Sequence, residues 1–457
     1  MSSVHLVHIA AQDRDETQQL QSAINEYPGP LHIVFEQGIH RCGGLRLRSN
    51  LTLEISKGAE LHFIPGYEAY AATCVGIVAE ESDRGMLVAA NASNITICGG
   101  GLIFGDGAGS YTRGEDVEMG TLVAQKLRPR TIVLEDCRNI RIEDIRIEDS
   151  PMWTMHFAGC ENLIVKGVSV DNNRRMPNTD GIVIDGCRNV TIEGSSFRTA
   201  DDGIVLKTTL REDGRFTGAC ENIQARDCII ESRSCALKIG TESFSPFRAI
   251  SFENIAVEGS NRGLGIFSRD GGLVDCVRFA GITLDCHETP AGFWGSGEAV
   301  TITTVDRRPE DGPAGRVSNV VIEDLKGSME GTINLVAERA GDISDVVMRQ
   351  VSLMQKPGPL GTALTYDIRP TVADRFDLFP EGEGAGRVNA WRFGPDGKII
   401  GLIDYPGGMP GVFAKGVNGL TLDAVDIQRP EVLPEGWNED IVVLIDSTLS
   451  NDEIAGA

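Results

Sequence analysis

Asn139-Ile140-Arg141-Ile142, Asn162-Leu163-Ile164-Val165 and Asn189-Val190-Thr191-Ile192 are copies of one phrase: an Asn, an aliphatic residue, a free choice, and an Ile or Val. The phrase also stands at Asn94, Asn222, Asn254 and Asn319. From Asn139 to Asn254 its copies are 23, 27, 33 and 32 residues apart. A period of this size marks stacked structural repeats. The runs after each Asn are short and rich in β-branched residues, so they read as strands and not as helices. One repeat is too small to bury its own apolar face. When repeats stack, each strand pairs with its counterpart roughly 4.8 Å away, and the inward residues form one continuous core. Asn suits the turn because it tolerates tight backbone and its amide can bond the next amide along the stack. The expected fold is all-β, a right-handed parallel β-helix.

A Cys precedes the Asn by two places at Cys137, Cys160, Cys187 and Cys220. Small apolar thiols in such a ladder read as core. The chain holds 11 cysteines, an odd number, and free thiols are expected. Asp13-Arg14-Asp15-Glu16-Thr17 precedes Leu20, Ala23 and Ile24, which predicts a helix near residues 15–26 with acidic residues in its first turn. That helix would cap the open N-terminal edge of the solenoid. One domain over 1–457 is expected, with its cap in 1–30. Long loops are expected at 356–417, rich in Gly, Pro and aromatics from Tyr366 to Pro410, with final coils from Asn418.

The composition is that of a globular protein, 41% hydrophobic and 24% charged. A formal net charge of −24 argues against nucleic acid or an anionic membrane as partner. No stretch is long and apolar enough to span a bilayer. Met1 to Glu16 has no basic and apolar leader, so a cytoplasmic location is expected. No Cys-x-x-Cys or His-Glu-x-x-His occurs, and neither a zinc site nor any cofactor is expected. Asn-x-Thr/Ser at Asn50, Asn91, Asn94 and Asn189 reads as part of the repeat and not as glycosylation.

Two phrases carry chemistry: Asn178-Thr179-Asp180-Gly181 and Ala200-Asp201-Asp202-Gly203. Either Asp-Gly alone reads as a turn. Asp180 and Asp202 are 22 residues apart, close to one coil, and each precedes Gly and an aliphatic strand. In register they stack, with Asp201 beside them. Mutual repulsion among three carboxylates favours one protonated member, which gives a general acid beside a general base. Glycosidic cleavage needs that pair.

These phrases resemble the signature of the polygalacturonase (pectinase) family of glycoside hydrolases, family 28. The resemblance extends to the N-terminal cap, Arg128-Pro129-Arg130 and Ser150-Pro151-Met152-Trp153-Thr154-Met155-His156. It implies hydrolysis with inversion, with Asp201 as general acid and Asp180 and Asp202 activating water. Lys207 also matches the pattern. The family continues with Gly-His-Gly and, a coil later, Arg-Ile-Lys. Here the corresponding stretches are Ser232-Arg233-Ser234-Cys235-Ala236-Leu237-Lys238-Ile239-Gly240 and Arg262-Gly263-Leu264-Gly265-Ile266-Phe267. The His is absent, the two basic positions of the later motif are Gly265 and Phe267, and these are expected to offer space and an apolar surface to a neutral or modified sugar.

Further candidates for an oligosaccharide substrate are Asn178, Arg233, Lys238, Arg262, Arg269 and Trp153, beside Lys207. Glu242 and Asp270 lie in the same coils. Each charge singly reads as a solvated surface charge, and Trp153 reads equally as packing under a loop. His156 reads as structural. Two other functions fit this fold: a Ca²⁺-dependent polysaccharide lyase using the acidic cluster with Arg233 or Lys238 as base, and a non-catalytic carbohydrate-binding solenoid.

Overall fold

The structure, a computed structural model, describes residues 4–118, 120–308, 312–371 and 393–450. Its packing divides the chain into two compact units. One holds the residues described up to Val205 together with Leu210–Cys228; the other holds Leu206–Thr209 and those described from Ile229 on.

In the first unit the Asn phrases form parallel strands at Leu51–Ile55, Ser93–Cys98, Arg138–Glu143, Glu161–Lys166, Arg188–Glu193 and Cys220–Arg226. Ile95, Ile140, Leu163, Val190 and Ile223 stand in one register, and all are buried. Each coil adds a short second strand, such as Arg146–Glu148 or Ser169–Asp171, and a third, such as Met155–Ala158 or Ile182–Asp185. The third strands pair in parallel, with Ile132, Met155 and Ile182 facing inward in line. This is the β-helix expected from the repeat.

The Asn turn is what the sequence asks for. Asn50, Asn94, Asn139, Asn162, Asn189 and Asn222 all take left-handed backbone, with φ between 54° and 59°. Each amide from Asn94 onward donates to the Oδ1 of its predecessor, at 2.7–3.1 Å. Cys137, Cys160, Cys187 and Cys220 are buried free thiols, as a core ladder requires.

A helix at Thr17–Glu26 buries Leu20 and Ile24. The expected acidic first turn is not found, because the helix begins only at Thr17. Glu16 is its N-cap residue, and its carboxylate is drawn inward to His40 Nδ1 at 2.9 Å and to the Gln12 N–H at 2.7 Å.

The second unit has longer strands: Phe247–Ser260, Val274–Cys286, Val317–Met329, Ile343–Gln355 and Val417–Gln428. Its Asn ladder is broken. The left-handed ladder position falls to Ala249 and then Cys276 before Asn319, whose Nδ2 donates to Asp275 Oδ1 at 2.7 Å, while Asn254 stands at a different left-handed turn, in register with Gly281 and not with the ladder. The other face stacks Cys235–Ser243, Arg262–Ser268, Val300–Thr304 and Ile333–Ala337, and resumes at Val412–Lys415. Within the stretch read as loops, Thr365–Asp367 and Leu402–Asp404 pair as antiparallel strands. Residues 372–392 of that stretch lie outside the described residues.

Candidate active site

In the first unit, Asp180 ends the turn that leads into Ile182–Asp185, and Asp202 occupies the same place one coil on. The ladder runs through both: Thr154 N–H donates to Asp180 O at 2.9 Å, and Gly181 N–H donates to Asp202 O at 2.9 Å. The stacking expected from the 22-residue step is therefore present. Gly181 is required by close approach and not by turn geometry. It has no left-handed φ, but a Cβ there would meet Gly203 O at 2.6 Å and the Phe197 ring at 2.8 Å.

Asp180, Asp201 and Asp202 each bring one carboxylate oxygen within 4.8 Å of the others. Asp180 and Asp202 are buried at 3% and 1% exposure, while Asp201 is half-buried. The Asp202 N–H donates to Asp201 Oδ1 at 3.0 Å, which fixes the more exposed carboxylate against its own chain. Three oxygens so arranged can deliver a proton, activate water, or hold a divalent cation.

The supports of this cluster are buried. Asn178 has a φ of 58°, and its Oδ1 accepts from Arg128 at 2.8 Å. The fully buried Arg128 also holds Pro151 O at 2.8 Å and Pro177 O at 2.7 Å. Asn172 donates to Thr154 Oγ1 at 2.8 Å and to Thr179 O at 3.2 Å, and accepts from the Ser150 N–H. Neither Arg128 nor Asn172 stood out as a site residue from the sequence; Arg128 was visible only within the family resemblance.

Trp153 is 8% exposed and packs with Ala79, Met152 and Val183. Its indole stands edge-on to His156, 5.0 Å between centroids. The packing reading of Trp153 thus describes its position better than an open sugar platform. His156 is fully buried and structural, as expected. Arg130 donates to its Nδ1 at 2.7 Å, so its proton is on Nε2, facing Asp185 Oδ2 at 3.3 Å. Burial lowers the imidazole pKa, and burial likewise brings the Arg130 guanidinium down to about 10.

In the second unit, Lys207 Nζ meets Glu242 Oε2 at 2.5 Å. Arg307, a residue that no sequence motif marks, reaches Glu242 Oε1 at 3.3 Å and grips Asp270 with Nε at 3.1 Å and with its second terminal nitrogen. Burial opposes the charge on Glu242, but Lys207 and Arg307, with Lys238, hold its carboxyl well below the usual range. Arg233 and Lys238 are half-buried, and the Lys238 ammonium lies 5.6 Å from the Phe267 ring centre.

Three expectations are corrected in this unit. Arg262 is 5% exposed, and its guanidinium is committed to Asp367 Oδ2 at 2.7 Å, with Glu298 at 3.6 Å. Arg269 is fully buried and spends its donors on the carbonyls of Ser268, Thr303, Ile368, Arg369 and Pro370. Both arginines pin the loop around Asp367 and present no charge to a ligand. Gly265 and Phe267 offer no open surface: Phe267 is 2% exposed, and its ring fills the space over Gly265, where a Cβ would meet it at 2.5 Å.

A sequence profile described as glycosyl hydrolases family 28 matches residues 69–363, more than half of the chain. The chain belongs to glycoside hydrolase family 28. It is accordingly a glycoside hydrolase. It is 23% identical to the endo-polygalacturonase of Pectobacterium parmentieri over 362 residues, covering 76% of this chain and 86% of that one. Among solved structures it is similar to a hyperthermoactive exopolygalacturonase from Thermotoga maritima, with a TM-score of 0.60 at 21% identity, over 77% of this chain and 87% of that one. A family 28 exopolygalacturonase from Yersinia enterocolitica gives a TM-score of 0.70 at 14% identity, over 98% and 78%. These structures share the right-handed parallel β-helix with this family 28 chain.

Proposed function

We propose that this family 28 hydrolase cuts pectin-derived oligosaccharides with the aspartate cluster of its first unit. The single observation that carries the reading is the approach of Asp180, Asp201 and Asp202 within 4.8 Å in a chain of this family. Asp201 is the general acid: it gives its proton to the glycosidic oxygen as the bond to the anomeric carbon breaks. Asp180 and Asp202 take a proton from water as its oxygen bonds to that carbon. The difference in exposure supports this division, since the half-buried Asp201 faces outward and the other two are enclosed. Asn178 is a binding residue set in place by Arg128. The polygalacturonase relatives support a pectic substrate.

Two-carboxylate inverting enzymes hold acid and base about 6.5–9.5 Å apart, and retaining ones about 5–5.5 Å. The cluster here is closer than the inverting range. For inversion, the water that Asp180 and Asp202 activate attacks the anomeric carbon on the face opposite the bond that Asp201 protonates. The family resemblance makes inversion the expected outcome. NMR of the first product anomer on oligogalacturonides and on rhamnose-containing oligosaccharides tests it, with absorbance read in parallel. An inverted anomer without unsaturated product supports the reading. Unsaturated product that a chelator abolishes would instead support a metal-dependent lyase.

A further inference from the structure

Side chains alternate along the third strands of the first unit, so the residues between the inward ones face out. Val88, Val133, His156 and Val183 stand in one outward register, and all are fully buried. The chain itself covers them. Cys74–Ala79 doubles back on Ser82–Ala90 as an antiparallel hairpin. Ile77 packs with Val88, Val133 and Ala158, and Ala79 packs with Met152, Trp153, Val183 and Val205. The hairpin is held at both faces of its backbone. Glu135 accepts from the Gly76 N–H at 2.9 Å and the Ile77 N–H at 2.6 Å, while Arg130 donates to Ile77 O at 2.5 Å and Ser82 O at 3.1 Å. Both charged side chains are buried, and such charge-assisted bonds make the hairpin a fixed wall.

That wall stands one coil from the aspartates. The strand register puts Trp153 in the place of Asp180 one coil earlier, and Arg130 in the same place one coil before that. Thr131 N–H donates to Trp153 O at 3.2 Å, as Thr154 N–H does to Asp180 O. The row of Asp202 and Asp180 thus runs into a Trp153 that packs against Ala79, and then into an Arg130 fully buried under the hairpin. Along the strands the way is shut too, since Val183 and Val205, three residues past Asp180 and Asp202, are covered by the same cluster. Coils rise by roughly 4.8 Å, about the length of one sugar unit in a chain. A glycan laid along the row therefore has room for about one unit before it meets the wall.

We propose that the hairpin of residues 74–90 ends the substrate groove at Trp153, so that the enzyme trims single sugars from a chain end and does not cut within a polymer. The inference rests on the aspartate cluster as the place of cleavage, proposed above.

The test digests a long oligogalacturonide, labelled at its reducing end, and separates the first products by chromatography. The wild type releases single sugars from the outset and shortens the chain stepwise, and the viscosity of polygalacturonate falls slowly. Trp153→Ala combined with Ala79→Gly clears the indole and the methyl group from above Val183 and Val205. Folded, this double variant raises the share of longer fragments among first products about tenfold or more. Mid-chain fragments among the first wild-type products overturn this inference alone and leave the aspartate assignment standing. A folded double variant that still releases only single sugars does the same. Failure to cut any pectic oligosaccharide overturns the earlier reading and this one with it. Should the double variant fail to fold, the wild-type products alone decide.

Discussion

The Arg128 guanidinium donates to Asn178 Oδ1 at 2.8 Å, two residues before Asp180, and both side chains are buried. The same guanidinium bridges the carbonyls of Pro151 and Pro177 and so ties two successive coils together at the turn that carries the carboxylate. Lysine keeps the charge but cannot reproduce the fork. Arg128→Lys is expected to cost about 2–3 kcal/mol of stability and to lower kcat about tenfold or more through a displaced Asp180. Urea unfolding and steady-state kinetics on one preparation check both. Unchanged kcat in a destabilised protein would make Arg128 structural alone.

The Asn ladder carries a stability prediction. Asn162 has a φ of 58°, donates to Asn139 and accepts from Asn189, each at 3.1 Å. Asn162→Ala meets the left-handed penalty and loses both bonds, an expected loss of about 2–3 kcal/mol. Asn162→Gly loses the bonds without the backbone penalty and is expected to be milder by about 1 kcal/mol. Chemical denaturation of both variants compares the two terms.

His156 gives a pH dependence whose sign is set by its lowered pKa. In the folded protein it stays neutral, with Nδ1 accepting from Arg130, while in the unfolded chain it takes up a proton below about pH 6.5. Its contribution is thus present above that pH and lost as pH falls toward the folded pKa. The slope approaches about 1.4 kcal/mol per pH unit. Tm measured from pH 7.5 to 5 is expected to fall more steeply in the wild type than in His156→Gln. Parallel curves would show that His156 protonates freely in the fold.

The Asn phrases made the coils legible because each copy imposes the same turn at the same place. Asp180 and Asp202 were legible because their spacing equals one coil. What could not be read depends on contacts between distant segments. Arg262 and Arg269 look like surface charges in sequence, since nothing near them shows that the loop around Asp367, about a hundred residues on, folds over them. Arg307 follows an ordinary strand, and its link to Glu242 spans 65 positions. Phe267 seemed to offer an apolar surface because its ring direction, over Gly265, is set by packing. Where Cys276 takes the left-handed turn the motif is simply missing, although the coil is not.

The most direct test of the account is turnover by Asp201→Asn on the pectic oligosaccharide that the wild type cuts best. The substitution removes the acid at constant volume and leaves the ladder through Asp202 intact. The expected result is a folded protein with an unchanged circular dichroism spectrum and kcat lower by about 10²–10⁴-fold. A folded Asp201→Asn protein that still turns over at near the wild-type rate would contradict the assignment and place the chemistry elsewhere in the chain.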